Sequence, residues 1–353
     1  MNRIEVCTEN YGNASAIDID VRGSREKFWF SFNDSPNQKW LFKNTNKLGT
    51  NKKTFEDIGE VIFYEICEQV GVKCALYAPA ISVKDGVEKE GVISANYNPL
   101  GFQEFSGYSI LEYYKNFAYD NYHGLNVDSE NTLDNYLHAL KCFAATNRAA
   151  RVDVDKIMTE MGKRFLLDYL CIQSDRNWYN VSFLLDNSSC NFDLSPCFDN
   201  GNIFCWNFKS SVIEHLNKLL SNKNKISYLN EFLKSKPIAM GVKTCMSLHN
   251  NETPHLMSPL PQTEDSITIL ENEMVDMILK SKELQDFLFN KLGKENNIID
   301  KAFFEAENKY GKMPELLHEQ ANRVFNLRCE HLTNLVKQAK KLKEQEEMNE
   351  YFV

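Results

Sequence analysis

Residues 174–180 read Ser-Asp-Arg-Asn-Trp-Tyr-Asn, and residues 198–201 read Phe-Asp-Asn-Gly. The apolar run from Phe165 to Ile172 predicts a helix that leads into the first stretch. A strand-like run, Val181 to Leu185, separates the two stretches. The sequence therefore places an acidic residue after a helix, an asparagine five positions later, a strand, and then an acidic loop that ends in glycine.

The residue types in these two stretches fit phosphoryl transfer. Asp175 can orient and deprotonate an incoming hydroxyl group, while Asn180 and Asp199 can supply oxygen ligands to Mg²⁺ on substrate phosphates. We therefore predict Asp175 and Asn180 as catalytic residues, and Asn180 and Asp199 as metal ligands. Each stretch taken alone is also typical of a surface turn, but the ordered combination favours the catalytic interpretation.

The first part of the chain has a pattern that can cover a nucleotide. Residues Ile17 to Arg22 and Phe28 to Phe32 predict two strands, and the turn between them can present backbone N–H groups to phosphates. The turn has a single glycine, so an ordinary β-hairpin is the alternative. The predicted cofactor-binding residues of this turn are Gly23, Ser24, Arg25 and Lys27.

A lysine and a helical glutamate follow the predicted hairpin. Lys43 ends a short strand-like run, where a kinase places the lysine that contacts the phosphates of ATP, so we predict a catalytic and cofactor-binding role. Residues Glu56 to Val70 have the periodicity of a helix, which Gly71 ends. Glu60 or Glu65 should pair with Lys43, and we favour Glu60 as part of the cofactor site. Solvated charges are the alternative for each of these side chains.

The order of these elements predicts an α+β fold with two lobes, of the protein-kinase-like type. We expect a small β-rich lobe at residues 1–105 and a mainly helical lobe at residues 106–353, with the hinge near Gln103 to Gly107. Two long helices, at about 264–292 and 314–348, should pack their apolar stripes in the core of the larger lobe.

Four passages of the chain resemble the HipA-like Ser/Thr kinases, and the nearest match is the compact branch of that family. The passages are residues 22–29 (Arg-Gly-Ser-Arg-Glu-Lys-Phe-Trp), 40–43 (Trp-Leu-Phe-Lys), 91–94 (Gly-Val-Ile-Ser), and 174–180 together with 198–201. They span Arg22 to Gly201, and the remaining C-terminal portion is similar to the family only in being helical.

The resemblance implies a Ser/Thr protein kinase with an atypical fold related to lipid kinases, which uses ATP and Mg²⁺ and acts on a protein substrate. It implies that Asp175 is the base and that Lys43 contacts ATP, and it implies that Asn180 and Asp199 bind Mg²⁺. Family members phosphorylate a serine in the loop that covers the phosphates, which ejects the loop and switches the kinase off. Ser24 is the corresponding candidate, so the resemblance implies autophosphorylation.

The chain departs from the family's toxins at three points. Arg25-Glu26 stands where the toxins usually have Gln-Pro, and Asn177-Trp178 stands where a histidine usually follows Asp-Arg. The predicted ATP loop already begins at Gly23, so we expect the extra N-terminal subdomain of the toxins to be absent. We therefore do not carry over the toxins' substrate, a tRNA synthetase, or their antitoxin partner.

Composition limits the other function classes. The chain has 353 residues, of which 43% are hydrophobic and 25% charged, as is normal for a globular protein with a packed core. The net charge of −9 disfavours a general nucleic-acid or anionic-membrane binder. No apolar run approaches the ~18 residues of a membrane span, and the N-terminus has no apolar signal core. We expect a protein of the cytoplasm, or one that is secreted as an effector by a route other than Sec.

The ten cysteines contain no Cys-x-x-Cys pair, and the pattern predicts reduced thiols used as small core residues rather than a zinc site.

Two function classes remain as alternatives to a protein kinase. One is a pseudokinase or a binding module of the toxin–antitoxin type, which would bind nucleotide without transferring phosphate. The other is a small-molecule or lipid kinase, although a lipid kinase should have a basic membrane-facing surface.

Overall fold

The computed structural model describes residues 1–8, 12–17, 25–47, 54–84, 86–121, 133–173, 175–176, 179–208, 210–235 and 264–351. A β-rich N-terminal part is followed by a mainly helical part, which confirms the predicted α+β fold with a small β-rich lobe. The strands are β1 (Ile4–Cys7), β2 (Ala14–Ile17), β3 (Arg25–Phe32), β4 (Trp40–Lys47), β5 (Tyr77–Lys84), β6 (Val87–Ala95), β7 (Phe102–Ser106), β8 (Arg151–Val152), β9 (Ser182–Asp186) and β10 (Asn191–Leu194).

The helices of the described residues lie mostly in the C-terminal part. They are α1 (Glu56–Val70), α2 (Gly107–Asn121), α3 (Leu133–Thr146), α4 (Val154–Leu170), α5 (Ser210–Lys223), α6 (Ile226–Ser235), α7 (Glu264–Lys280), α8 (Lys282–Asp286), α9 (Ile298–Tyr310) and α10 (Glu315–Tyr351). A π-helical turn, Phe287–Lys291, continues α8, and a 3₁₀ turn, Lys294–Asn296, precedes α9.

Six strands form the first sheet, in the order β1-β5-β6-β4-β3-β2. Neighbouring strands are antiparallel, except that β1 runs parallel to β5. The register pairs Phe28 with Phe42 and Lys27 with Lys43, so the aromatic rings share one face and the two lysines share the other. The rings of Phe28 and Phe42 stack with centroids 5.1 Å apart, in front of a small apolar core. The sheet therefore directs Lys27 and Lys43 toward the rest of the molecule.

Helix α1 lies between the first sheet and the helical part, and it has the bounds that the sequence predicts. Two acidic residues, Glu56 and Asp57, occupy its first turn, where the helix dipole favours negative charge. It ends at Gly71, whose φ of 76° is the left-handed conformation that glycine adopts readily. Buried residues lie on all its faces, because the sheet, the loop 198–201 and α9 surround it.

The second sheet has four strands in the order β7-β9-β10-β8. Its strand β7 overlaps the hinge expected near Gln103 to Gly107. The backbone of β7 pairs with β9, which begins two residues after Asn180. The predicted lobe boundary at residue 105 falls inside this strand, whereas the change from the first sheet to the second occurs between β6 and β7. The division of the chain into two domains stays a prediction.

The C-terminal helices differ from the prediction in two respects. The prediction of a single helix at about 264–292 is wrong, because α7 ends at Lys280. The Ser281 hydroxyl accepts a hydrogen bond from the backbone N–H of Leu284 at 3.3 Å, and α8 begins there. Helix α9, which packs against α1, was not predicted from the sequence. The second expected helix is α10.

One large hydrophobic core joins α1, α4, α9 and α10. Trp206 is fully buried in it, and its indole N–H donates to Oε1 of Gln320 in α10 at 2.8 Å.

No helix in the described ranges is both long enough and apolar enough to span a bilayer.

Candidate active site

Lys43 is the centre of a buried charge cluster between the first sheet and α1. Its Nζ donates to Oε1 of Glu60 at 2.9 Å and to Oδ1 of Asp199 at 2.5 Å. Glu65 has a different partner, because both of its carboxylate oxygens accept from Nζ of Lys309, at 2.7 and 2.9 Å. Strand β4, helix α1 and the loop 198–201 therefore meet at one ammonium group.

The charges of this cluster stabilise one another. Burial lowers the pKa of Lys43, but Asp199, Glu60 and Glu56 raise it by more, so that the net pKa lies well above its ordinary value. Burial raises the pKa of Asp199, and Lys43 and Lys27 lower it well below its ordinary value. Asp199 is therefore ionised, and Lys43 is charged, throughout the neutral range.

The backbone of the loop 198–201 is fixed at several points. Asp199 has a φ of 53°, the left-handed conformation, and its N–H donates to the Tyr77 hydroxyl at 2.9 Å. Its carbonyl oxygen accepts from Nε2 of Gln173 at 3.3 Å. The N–H of Asn200 donates to Oε2 of Glu60 at 2.6 Å. One glutamate thus binds both Lys43 and the loop that carries Asp199.

Asp175 and Asn180 lie together at the other side of the site. Nδ2 of Asn180 donates to the backbone carbonyl of Asp175 at 2.6 Å, and the N–H of Asp175 donates to Oε1 of Gln173 at 3.1 Å. The Asp175 carboxylate accepts from Nδ2 of Asn202 at 3.2 Å. Gln173 contacts both loops, so the predicted base and the predicted metal ligands belong to one constellation.

The side chain of Arg176 is 2% exposed and connects the loop of Asp175 and Asn180 to the loop 198–201. Its guanidinium group donates to both carboxylate oxygens of Asp168 in α4, at 3.0 and 3.1 Å. It also donates to the carbonyls of Asn180 at 3.1 Å and Phe198 at 2.8 Å, and to Oδ1 of Asn200 at 2.6 Å. Five hydrogen bonds to two loops and a helix make Arg176 a residue that positions the site.

Two glycines allow α1 to lie against the loop 198–201. A Cβ atom at Gly201 would lie 2.7 Å from the carbonyl oxygen of Glu56, and a Cβ atom at Gly59 would lie 2.5 Å from the carbonyl oxygen of Gly201. Both neighbours are backbone atoms, so a side chain at either position would push the helix and the loop apart. The glycine that closes the second stretch is therefore explained by close packing.

The predicted phosphate-covering turn is only partly described. Gly23 and Ser24 lie outside the described residues. Arg25 is buried, pairs with Glu56 and donates to the carbonyl of Thr45, so it does not join the constellation of Asp175, Asn180 and Asp199. Lys27 is the cross-strand partner of Lys43, and its charge helps to lower the pKa of Asp199. Lys27 therefore lies near the site, whereas Arg25 contacts the first turn of α1.

The donor set fits a magnesium ion shared with phosphates. Asn180 commits its amide nitrogen to the Asp175 carbonyl, and its amide oxygen is the atom that could bind a cation. Asp199 supplies an ionised carboxylate, and both oxygen types are ligands that Mg²⁺ prefers. Among the described residues, no group of three or more His, Cys, Asp or Glu side chains is arranged to hold a metal. A site of one carboxylate and one amide depends on the nucleotide for its remaining ligands.

Four residues that support the site were not predicted from the sequence. Tyr77 and Gln173 belong to no motif, and only the folded structure shows that each binds the backbone of Asp199. Arg176 and Asn200 stand inside the two motif stretches, next to Asp175 and Asp199. Their position next to Asp175 and Asp199 was the sequence signal for a supporting role. A buried arginine beside such a loop needs hydrogen-bond acceptors, and the loop supplies them.

These elements define a kinase-like fold, in which a Lys–Glu pair of the β-rich part faces an Asp–Asn loop and an acidic loop of the helical part. No protein-family model matches the chain, and no curated protein matches it. The structure is similar to that of the Helicobacter pylori proinflammatory kinase CtkA, with a TM-score of 0.59, 14% sequence identity, and coverage of 95% of this chain and 98% of that chain. At this identity the likeness establishes the fold alone.

A second structure, the Shewanella oneidensis MR-1 toxin–antitoxin system HipA with HipB and its operator DNA, is similar at a TM-score of 0.37 and 13% identity. That alignment covers 91% of this chain and 67% of that chain.

Proposed function

We propose that this chain is an ATP- and Mg²⁺-dependent protein Ser/Thr kinase. The observation that carries the proposal is the meeting of Lys43, Glu60 and Asp199 within the same site as Asp175 and Asn180. Phosphoryl transfer depends on positioning and on charge stabilisation, and this constellation supplies both. The similarity to a solved kinase structure supports the fold on which the proposal rests.

Each residue of the constellation has a role in this proposal. Lys43 has three ammonium hydrogens and donates to Glu60 and Asp199, so a third remains for a phosphate oxygen of ATP. Asn180 and Asp199 would hold Mg²⁺, which when bound neutralises charge on the phosphates. Asp175 accepts the proton of the incoming hydroxyl.

The residues of the predicted turn complete the nucleotide site. Lys27 lies beside Lys43 and contributes a second positive charge toward the phosphates. Gly23 and Ser24 are proposed to cover the phosphates through their backbone N–H groups. Arg25 acts indirectly, because it holds the start of β3 to Glu56. A hydroxyl group of a protein is the proposed acceptor, and Ser24 of this chain is the first candidate.

The intact mass of the purified protein after incubation with Mg·ATP tests the proposal. We expect a gain of phosphate mass in the wild type and none in Asp175→Asn, because that variant lacks the base but keeps the nucleotide site. Asp193→Asn is the matched control, since Asp193 forms a surface ion pair with Lys156 and should leave the gain unchanged. Equal phosphate incorporation in wild type and Asp175→Asn would contradict the assignment of the base.

The same experiment separates the alternative functions. Fragmentation of the phosphorylated protein locates the acceptor, and Ser24→Ala should remove phosphate from the turn if autophosphorylation occurs there. Nucleotide binding without any phosphate gain, with or without added protein substrates, would favour a pseudokinase. Phosphate transfer to a lipid or a metabolite alone would favour a small-molecule or lipid kinase. The net charge of −9 disfavours a lipid kinase that acts on an anionic membrane surface.

A further inference from the structure

Three cysteine thiols lie together behind the loop that carries Asp199. Cys67 is in the last turn of α1, Cys74 follows α1, and Cys197 precedes Asp199 by two residues. Burial and the neighbouring thiols of Cys197 and Cys74 raise the pKa of the Cys67 thiol. The phosphoryl transfer proposed above uses none of these groups.

The backbones of Cys74 and Cys197 are directly paired. The two residues form a parallel β-bridge, in which Ala75 N donates to Cys197 O at 2.8 Å and Cys197 N donates to Lys73 O at 2.9 Å. Paired strands lie about 4.8 Å apart, and a disulfide joins Cα atoms that are about 4.4–6.8 Å apart. A bond between these two cysteines therefore needs little backbone movement.

The side chain of Cys74 already lies against the segment that contains Cys197. Its thiol donates to the backbone carbonyl oxygen of Cys197 at 3.5 Å. The Cys74 sulfur is therefore next to the residue with which it would form a bond.

The three cysteines differ in their access to solvent. Cys67 is fully buried and Cys197 is 1% exposed, whereas Cys74 is half-buried. A small oxidant therefore reaches Cys74 first, and Cys197 is placed to react with the product. The cluster has the two parts that a thiol switch needs, an accessible thiol and a second thiol beside it that can react with the oxidised form.

We propose that Cys74 and Cys197 form a disulfide when the protein meets a hydroperoxide, and that this bond displaces the loop that carries Asp199. The Cys74 thiol loses its proton and its sulfur attacks one peroxide oxygen. The O–O bond breaks, and hydroxide leaves to give a sulfenic acid. The Cys197 thiol then loses its proton and its sulfur attacks the Cys74 sulfur. The S–S bond forms, and a second hydroxide leaves. The two hydroxides take up the two thiol protons, so two electrons pass from the thiols to the peroxide.

Asn200 connects the disulfide to the site. Its side-chain Nδ2 donates to Sγ of Cys74 at 3.6 Å, and its backbone N–H donates to Glu60 at 2.6 Å. Moving Sγ of Cys74 toward Cys197 takes away the acceptor of an amide that is 0% exposed. Because a buried donor without an acceptor is unfavourable, the loop shifts toward a new partner and takes Asp199 away from Lys43.

Peptide mapping tests the formation of the bond. Reduced wild-type protein is treated with hydrogen peroxide, its remaining thiols are alkylated, and the digest is analysed by mass spectrometry. We expect a linked peptide pair that contains Cys74 and Cys197, lost on addition of dithiothreitol and absent from Cys74→Ser. Cys142→Ser is the matched control, because Cys142 is also half-buried but lies on α3. Alkylation of both cysteines after peroxide, or a link to Cys67 instead, would overturn the proposal.

Hydrogen–deuterium exchange tests the displacement. The amides of Asp199 and Asn200 donate to Tyr77 and Glu60, and we expect them to exchange about tenfold faster in the oxidised protein and to recover on reduction. Unchanged exchange in a protein with the mapped disulfide would contradict the coupling to the site. A loss of autophosphorylation on oxidation is expected as well, but that readout rests on the proposed kinase function. A reduced protein that transfers no phosphate would count against that function alone, because mapping and exchange need no ATP.

Discussion

Lys43 is held by carboxylates from two distant parts of the chain, Glu60 of α1 and Asp199 of the loop 198–201. The lysine is therefore in place only when the helix and the loop are both in place. A nucleotide that contacts Lys43 meets a charge whose position is already fixed, which reduces the entropy lost on binding.

Asp199→Asn should weaken Mg²⁺-dependent nucleotide binding by at least about tenfold, because the variant loses its only charged metal ligand in the proposed site. Titration calorimetry with an ATP analogue, in the presence and absence of Mg²⁺, measures the effect. The loss should appear only with Mg²⁺, and Asp193→Asn should bind as the wild type does. Equal affinities with Mg²⁺ for wild type and Asp199→Asn would remove Asp199 from the metal site.

The stability contributed by Asp199 should depend on pH in one direction. Burial raises and Lys43 and Lys27 lower its pKa, which ends well below the ordinary value of 3.8. A carboxyl group with a depressed folded-state pKa stabilises the fold above its unfolded-state pKa, and the stabilisation is lost as the pH falls toward the folded-state pKa. The difference in unfolding free energy between wild type and Asp199→Asn should be constant from about pH 7 to about pH 5 and shrink below about pH 4. Urea unfolding at several pH values measures it, and a difference that grows with acid would contradict the ion pair.

Arg176→Lys should destabilise the protein by about 2–4 kcal/mol, because a lysine keeps the charge but cannot reach all the acceptor atoms that the guanidinium group contacts. The expected result is a lower urea midpoint with an unchanged slope. Arg148→Lys, at an exposed turn, is the control and should change the midpoint little. Similar midpoints for both variants would show that the buried hydrogen bonds of Arg176 contribute little.

At the scale of elements, the distance between α1 and the loop 198–201 sets the geometry of the site. Gly201→Ala should push the two apart, since its Cβ would lie 2.7 Å from the carbonyl oxygen of Glu56. We expect a loss of about 1–3 kcal/mol in stability and weaker nucleotide binding, because Glu60 moves with the helix. Thermal unfolding and calorimetric titration measure the two effects. Wild-type values for both would mean that the packing at Gly201 is looser than the structure shows.

The sequence predicted the elements whose pattern is long or chemically marked. Helix α1 was predicted with its bounds, because fifteen residues with an apolar periodicity end at a glycine. Strands β8 and β10 were missed, since they have two and four residues and owe their conformation to pairing with other segments. Helix α9 was not predicted, because it lies between two longer predicted helices. The break between α7 and α8 was also not predicted, because it depends on the hydroxyl group of Ser281.

For the site, residue types and spacing indicated which polar groups converge, but not what each of them contacts. Glu60 was favoured over Glu65 as the partner of Lys43, and the contact is present. Arg25 was predicted to bind the cofactor because it stands in the turn, whereas its side chain is buried against Glu56. A basic residue in a phosphate-covering turn has the same sequence pattern whether it faces the ligand or the core. The catalytic and metal-binding roles stay predictions.

At the scale of the whole molecule, the C-terminal helices support the N-terminal site. Helix α9 packs along α1, and Lys309 near its end donates to Glu65 at 2.7 Å, across 244 positions of the chain. The backbone N–H of Asn2 donates to the carbonyl of Tyr310, so the first residues are held by the same helix. The helix that positions Glu60 is thus enclosed by segments from both ends of the chain.

This enclosure has a thermodynamic consequence. Because α1 and α9 share one apolar core, neither the β-rich part nor the helical part can lose its structure without exposing surface of the other. Differential scanning calorimetry should therefore record a single endotherm whose calorimetric and van't Hoff enthalpies agree, where independent lobes would give two. A polypeptide that ends before Ile298 should leave α1 with an uncovered apolar face, and such a fragment should bind a fluorescent hydrophobic dye that the full chain excludes.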